Sequence, residues 1–446
     1  MTDRLGREGA LALCAVLLAL IAVTLPELGS DPWPFRPGTV DASGPLAPLV
    51  RAAGREWDVG IARTAAFIAA LLVAGFAALW LAGRRRLPTW SGAALVLCVG
   101  ALLLAPSTLL QLGLRDSTAP WFFTNDSTYQ VELAGDLVRH GHNPYGHDYS
   151  SSGMERFYSF DGRRSQRVLG REVALHHFAY LPGSAITAGA WGVLPSPLDD
   201  YRLFVLLCTL ATLGAVLLFR APLAWRLGIA ALLVCNPIAI RSAWFGQNDA
   251  PSLLLLVLSF ALVTRSRYGW AAASLAGAVL LKQFALVALP FIALMLVKRG
   301  LDRAELRRAG LVFAAILAVG ILPFFLWDPG AFWDDTVKYG AGTYKIVGYG
   351  LSGILIRLHI LADREGSYPF ALFAVLLWLP ITAWLLLIQR RAGEIWVGAA
   401  AFSISMLVLM FIGRTFNNYY LVWPMTGAAV AALMAAGELR ARDLIS

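Results

Sequence analysis

Asp126 is the side chain in this sequence best placed to act as a base. It lies in a polar segment, residues 121–145, between two strongly apolar regions. Ser127 and Gln130 have the spacing of a capping box, and Gly141 stands where a glycine often ends a helix. The segment therefore predicts a loop, a short amphipathic helix and a second loop. At the start of that helix a carboxylate would be kept ionised by the helix dipole and could accept a proton. Capping of the helix alone is the alternative role.

Three basic residues are suited to bind an anion near Asp126. Lys282 interrupts an apolar run, where a lysine must pair, bind an anion or extend toward the membrane surface. Arg241 and Arg414 each lie at the predicted external end of an apolar segment. A phosphate group would suit all three, and interfacial extension of the side chain is the alternative for each.

The histidines are concentrated in the same part of the chain. Five of the six fall between residues 113 and 180: His140, His142, His147, His176 and His177. The first three have a spacing that could hold a metal, but no cysteine or paired carboxylate supports it. We therefore expect neither a metal nor a cofactor. The last two precede the return of the chain to the membrane and are expected in a substrate cavity or at the membrane interface.

The composition is that of a membrane protein. Hydrophobic residues make up 58% of the chain and form repeated apolar runs separated by charged clusters. The net charge of +9 comes from arginines at the ends of these runs, so it indicates membrane orientation rather than nucleic-acid binding. Only four of the 37 basic residues are lysines, a bias typical of a high-GC bacterial genome. The four cysteines lie in apolar runs and are expected to be packing residues.

The positions of the arginines predict an all-α polytopic protein in a bacterial plasma membrane. About twelve transmembrane helices leave both termini cytoplasmic and two long polar stretches, 113–180 and 328–368, extracytoplasmic. Residues 268–297 carry basic clusters at both ends, so we expect two short helices that meet outside at Lys282. Residues 298–308 then form a cytoplasmic amphipathic segment, followed by a span over about 310–327. Residues 1–88 are predicted as an accessory two-span hairpin and residues 89–446 as the functional core.

The order of these features resembles the GT-C superfamily of membrane glycosyltransferases. The similarity lies in Asp126 with Asn143-Pro144-Tyr145, in residues 177–182, in Gly246-Gln-Asn-Asp249 and in residues 277–290, and residues 417–424 resemble the last spans of that group. Among its members the chain is most similar to bacterial mannosyltransferases that use polyprenyl-phosphate-mannose. Here the polar loop follows the third span rather than the first, and Asp126 has no acidic neighbour.

The resemblance implies an inverting hexosyltransferase with Asp126 as general base. Its substrates would be a polyprenyl-phosphate sugar, with mannose favoured, and a lipid or glycan acceptor on the extracytoplasmic face. Lys282, Arg241 and Arg414 would bind the donor phosphate. The candidate substrate-binding residues are Tyr129, Tyr145, His176, His177, Gln247, Asn248 and Asp249. A polytopic transporter or flippase of lipid-linked sugars is the rival class, since broken helices and buried charges occur there too. A non-catalytic assembly factor is a third alternative.

Overall fold

The structure, a computed structural model, describes most of the chain from residue 125 onward and short pieces before it. The described ranges are 41–53, 68, 100, 104–105, 108–115, 125–154, 175–234, 236, 238, 242, 246–339, 346–348, 350–364 and 368–443. The first predicted span, nearly all of the second, most of the third, residues 121–124 and Arg241 lie outside the described residues.

Helices account for nearly all of the regular structure in these ranges. Helices α1 to α15 are, in chain order, Ala47–Ala53, Asp126–Arg139, Pro182–Trp191, Tyr201–Leu217, Leu223–Val234, Ala250–Thr264, Tyr268–Leu281, Leu289–Lys298, Arg303–Trp327, Pro329–Trp333, Leu351–Arg357, Phe370–Phe373, Leu379–Arg391, Trp396–Ile412 and Val422–Asp443. Two 3-10 turns (Gln283–Ala288, Asn418–Leu421) and two π-helical turns (Asp334–Tyr339, Ala374–Trp378) connect some of them. Two-residue strands, β1 (Val347–Gly348) and β2 (Thr415–Phe416), pair in parallel.

Within the described ranges, three helical stretches are long and apolar enough to cross a membrane. They are Arg303–Trp327, Phe370–Arg391 and Asn418–Glu438. The last is mostly buried inside the protein, whereas the first two present most of their surface outward, as helices in contact with lipid do. Shorter apolar helices surround the buried one. The chain is thus a helical membrane protein, and the arrangement of twelve spans stays a prediction.

The predicted break at Lys282 is confirmed. Helix α7 ends at Leu281, Lys282 has extended backbone angles (φ −156°, ψ 117°), and the chain continues as the 3-10 turn before α8. The buried hydroxyl of Ser252 in α6 donates to the carbonyl of Ala278, 2.7 Å away, which fixes the end of α7. The interruption exposes backbone polar groups that the neighbouring chain must satisfy.

The predicted cytoplasmic segment and the predicted span after it share one helix. Helix α9 is continuous from Arg303, because Asp302 and Glu305 form a capping box before the basic residues. The box satisfies the first backbone N–H groups, so the helix begins seven residues earlier than the start of the apolar run at about residue 310.

Helix α3, which the sequence analysis did not assign, supports the helix that carries Asp126. It packs on α2 through Gly135 and Gly189, where an added Cβ on either residue would come within 2.8 Å of the other helix's backbone. Gly183, also in α3, approaches the backbone of Leu280 in α7 in the same way. Glycine is required at these positions because the backbones nearly touch, and α3 thereby connects Asp126's helix to the break in α7.

Candidate active site

Helix α2 begins at Asp126, the predicted catalytic carboxylate. Its N-cap is Asn125, whose side chain accepts from Thr128 N at 3.1 Å. The predicted capping box at Ser127 is therefore wrong, since an asparagine two residues earlier takes that position. Asp126 lies in the first turn, half-buried, with Oδ1 accepting from Ser127 N at 2.8 Å. The predicted C-terminal glycine is confirmed, because Gly141 follows the helix with φ +75°.

Residues 177–180, which we call the connecting segment, join three other parts of the site. The carbonyl of His177 accepts from Gln130 of α2 at 2.9 Å, and that of Ala179 accepts from Gln283 at the helix break at 2.9 Å. The carbonyl of Tyr180 accepts from the Tyr145 hydroxyl at 2.8 Å. The pieces of sequence that carry the predicted site are thus brought together by one short length of extended backbone.

The ammonium group of Lys282 is buried and paired. Its Nζ lies 2.8 Å from Asp249 Oδ1 and 3.0 Å from Asn248 Oδ1. The same Asp249 oxygen accepts from the indole of Trp423 at 2.8 Å. An ammonium group has three N–H donors, and the contacts of Lys282 with the described residues engage two of them, which leaves one for a further acceptor. We call Lys282, Asp249, Asn248 and Trp423 the lysine cluster.

Tyr180 lies between the lysine cluster and Asp126. Lys282 Nζ is 5.6 Å from the centre of the Tyr180 ring, within the range of a cation–π contact. Burial raises the pKa of the Tyr180 phenol, Lys282 and a hydrogen bond with Ser127 lower it, and the negative charge of Asp126 raises it. The carboxylate in the first turn of α2 and the ammonium at the helix break therefore act on the same phenol.

The loop before α6 is fixed against α2. The backbone carbonyl of Gly246 accepts from the Thr128 hydroxyl, and Gly246 has φ +62° with the stem of Arg202 filling the place of a side chain. Only glycine suits this position. The hydroxyl of Ser242 donates to Gln247 Oε1 at 2.9 Å. This loop carries Asn248 and Asp249 to Lys282.

The other predicted substrate-binding side chains have different surroundings. Tyr129 is buried and donates to the carbonyl of Ser152 at 2.7 Å. Tyr145 is buried against Phe178 and Phe332 and uses its hydroxyl on the connecting segment. His176 is exposed, 3.2 Å from Asp148. The two tyrosines therefore stabilise the backbone around the site through their hydroxyl groups.

Arg414 is attached to the second polar stretch. Its guanidinium lies over the Phe370 ring at 5.5 Å, and its carbonyl accepts from Ser352 at 3.1 Å. The strand after it pairs with β1, where Gly348 (φ +97°) lies against the carbonyl of Phe416. These contacts connect two stretches that are predicted to lie on the extracytoplasmic side, 346–370 and 414–420.

Asp335 is a residue of this region that the sequence analysis missed. It is almost completely buried, and its carboxylate accepts from the ring of His177 and from two backbone N–H groups of the first polar stretch. The available signal was the pair of adjacent carboxylates, Asp334 and Asp335, in a stretch otherwise poor in acidic pairs. Nothing in that pattern indicated a partner 158 residues away.

A small cavity of about 50 Å³ lies beside the lysine cluster, lined mainly by aliphatic and threonine side chains of α4, α6 and α15 together with Gln247 and Asp249. A larger cavity, of about 140 Å³, lies at the far ends of these helices, among Arg220, Arg299 and Glu438. Among the predicted site residues, Gln247 and Asp249 line the first of them.

The comparisons with known proteins give the family. No curated protein matches the chain significantly. The family model of glycosyltransferase family 87 matches residues 178–415. This range contains residues 178–180 of the connecting segment, Asp335, and three members of the lysine cluster, Asn248, Asp249 and Lys282. This range covers more than half of the 446 residues. The chain therefore belongs to glycosyltransferase family 87, a GT-C-like family of membrane glycosyltransferases.

Proposed function

We propose that this glycosyltransferase moves a sugar from a polyprenyl-phosphate donor to a hydroxyl of a lipid or glycan acceptor. Asp126 is the general base, and Lys282 binds the donor phosphate. The observation that supports this assignment is the meeting of a carboxylate and a partly engaged ammonium group around Tyr180. Of the function classes that the sequence left open, transferase, transporter and assembly factor, family membership selects the transferase.

The proposed reaction needs few catalytic groups. A sugar linked to a lipid phosphate already has a good leaving group, so a base must take the hydroxyl proton and a cation must stabilise the departing phosphate. Asp126 is half-buried at a helix N-terminus, where the carboxylate is favoured. The remaining N–H of Lys282 supplies a donor to the phosphate. Direct attack by the hydroxyl inverts the anomeric centre, by analogy with inverting glycosidases.

The finer points of the proposal come from the sequence resemblance. Mannose is the favoured sugar, the reaction is on the extracytoplasmic face, and Arg241 and Arg414 are further cations for the donor phosphate. Arg414 is buried at the turn after α14. That turn is followed directly by the 3-10 turn before α15, which brings Trp423 to the lysine cluster.

The decisive test is Asp126→Asn in purified protein, assayed with a panel of radiolabelled polyprenyl-phosphate sugars. Asn125 caps the helix, so folding is expected to survive the substitution. Loss of a general base should lower turnover by about 100- to 10,000-fold. Asp136→Asn is the matched control, because Asp136 is on the same helix but exposed and paired with Arg139. An Asp126→Asn enzyme as active as the control would remove Asp126 from the mechanism.

Sidedness has its own test. Ser151 is exposed in the first polar stretch, so a cysteine at this position should react in intact cells with a thiol reagent that cannot cross the membrane. The protein's other cysteines are replaced by alanine first. Labelling that appears only after lysis would place the site on the cytoplasmic face.

A further inference from the structure

Asp335 joins the two polar stretches through three hydrogen bonds. Its Oδ1 is 2.7 Å from His177 Nδ1, and its Oδ2 accepts from Phe178 N at 3.1 Å and Gly146 N at 2.9 Å. The His177 ring is stacked on Tyr339, with centroids 5.0 Å apart and planes 20° apart. The imidazole is therefore held from its edge by a carboxylate and from its face by a phenol ring.

This arrangement determines which nitrogen of the His177 ring carries the proton and which keeps a lone pair. An ionised carboxylate can only accept, so the proton of a neutral imidazole lies on Nδ1, and Nε2 becomes a hydrogen-bond acceptor. The His177 side chain is 32% exposed, whereas that of Asp335 is 2% exposed. A molecule in the site can thus reach the histidine but not the aspartate.

His177 and the lysine cluster lie at different places along the connecting segment. Its carbonyl bonds to Gln130, one turn beyond Asp126 on α2. Tyr180, whose ring centre lies 5.6 Å from Lys282 Nζ, is three residues further along the chain, a span of at most about 10 Å. A lone pair backed by a carboxylate suits a hydroxyl donor and disfavours a phosphate.

We propose that His177 Nε2 binds a hydroxyl of the acceptor sugar and that Asp335 is the residue that positions it. This role rests on the proposed transferase function, and it assigns the acceptor to His177 and the donor phosphate to Lys282. Asp335 contacts no substrate and acts through the ring of His177.

The kinetic test uses His177→Ala, His177→Gln, Asp335→Asn and the double variant His177→Ala/Asp335→Asn. Loss of one hydrogen bond should raise the acceptor KM about ten-fold in His177→Ala, with the donor KM nearly unchanged. His177→Gln, which keeps an acceptor oxygen, should recover part of the loss. Asp335→Asn should raise the acceptor KM in the His177 protein and have no further effect on it in the His177→Ala background. Equal effects of Asp335→Asn in both backgrounds would show that Asp335 only joins the loops and would overturn its positioning role.

A binding measurement that needs no turnover separates this inference from the proposed function. Histidine ring ¹⁵N signals are recorded in nanodiscs, and the signal lost in His177→Gln is assigned to His177. Octyl α-D-mannoside is the probe and 1-octanol the control for its tail. A shift of the His177 signal with the mannoside alone supports the inference, even if no transfer to any acceptor is found and the proposed function fails. A signal that does not move, in a protein that does transfer sugar, overturns the inference and leaves the proposed function standing.

Discussion

Two buried groups of charged residues lie on either side of the loop at Gly246, and they differ in how completely their charged side chains are paired. The arginine cluster consists of Arg115, Glu132, Asp200, Arg202 and Gln111. In it Arg202 bonds both oxygens of Asp200, at 2.9, 3.2 and 2.6 Å, and also the side-chain oxygen of Gln111 at 2.7 Å. In the lysine cluster, both described contacts of the Asp249 carboxylate go to Oδ1.

The difference indicates separate roles. Arg115 bridges Glu132 and Asp200 at 3.1 Å each, and Glu132 also accepts from Tyr201 N at 2.7 Å, so the arginine cluster joins α2, the start of α4 and residues 108–115. A charge group paired in this way holds structure and offers little to a ligand. In the lysine cluster, contacts among the described residues engage two N–H groups of Lys282 and one oxygen of Asp249, beside Asp126's helix. Buried charge with unused hydrogen-bonding capacity is the more informative marker of a site.

The largest effect on stability is expected from Asp200→Asn. The change leaves Arg202 buried with its counter-charge removed, which costs about 3–5 kcal/mol for such pairs. The neighbouring Asp199→Asn, at a partly exposed position, is the matched control and should cost no more than about 1 kcal/mol. Melting temperatures in detergent measure both, and turnover per folded molecule should change little. Equal melting temperatures for the two variants would contradict the structural role of the cluster.

The lysine cluster should separate stability from activity. Lys282→Ala removes a charge-assisted hydrogen bond to the donor phosphate, worth about 1.5–3 kcal/mol, or ten-fold or more in donor use. It also leaves Asp249 buried without its cation, which lowers stability.

Removing the charges of both Lys282 and Asp249 separates the contribution of Lys282 to phosphate binding from its contribution to stability. Lys282→Met/Asp249→Asn should recover most of the melting temperature while the loss of donor use remains. Recovery of activity together with stability would show that Lys282 is a structural partner of Asp249 and not a phosphate ligand.

The sequence predicted those parts of the site whose signal is local. Lys282 was found because a charge interrupts an apolar run with basic residues at both ends, a conflict that only a break in the helix resolves. Asp126 was placed near a helix start because Ser127 and Gln130 have the spacing of a capping box. The exact cap was missed, because asparagine and serine at neighbouring positions satisfy the same backbone groups equally well.

The remaining contacts depend on the approach of residues far apart in the chain. The bond from Asp335 to His177 spans 158 residues, and that from Arg202 to Gln111 spans 91. Neither carboxylate nor guanidinium has a periodic signature that names its partner. Helix α3 was missed because its small residues, Gly183 and Gly189 among them, resemble a loop in composition, although they serve close helix packing.

The smallest expected effect concerns the pH dependence of the arginine cluster. Burial, and then the carboxylate of Asp200, raise the pKa of Glu132 to about 7, although Arg115 opposes them. In the unfolded chain a glutamate titrates near 4.3. Because the folded-state pKa is the higher one, this group's contribution to stability is fully present below the unfolded pKa and is lost as the pH rises through about 7. The melting temperature of the wild type should therefore fall between pH 5 and pH 8 relative to Glu132→Gln, whose side chain can still accept from Tyr201 N. Parallel melting curves for the two proteins over this range would mean that Glu132 is ionised throughout and that Arg115 outweighs burial, which would make the arginine cluster still more completely paired than the lysine cluster.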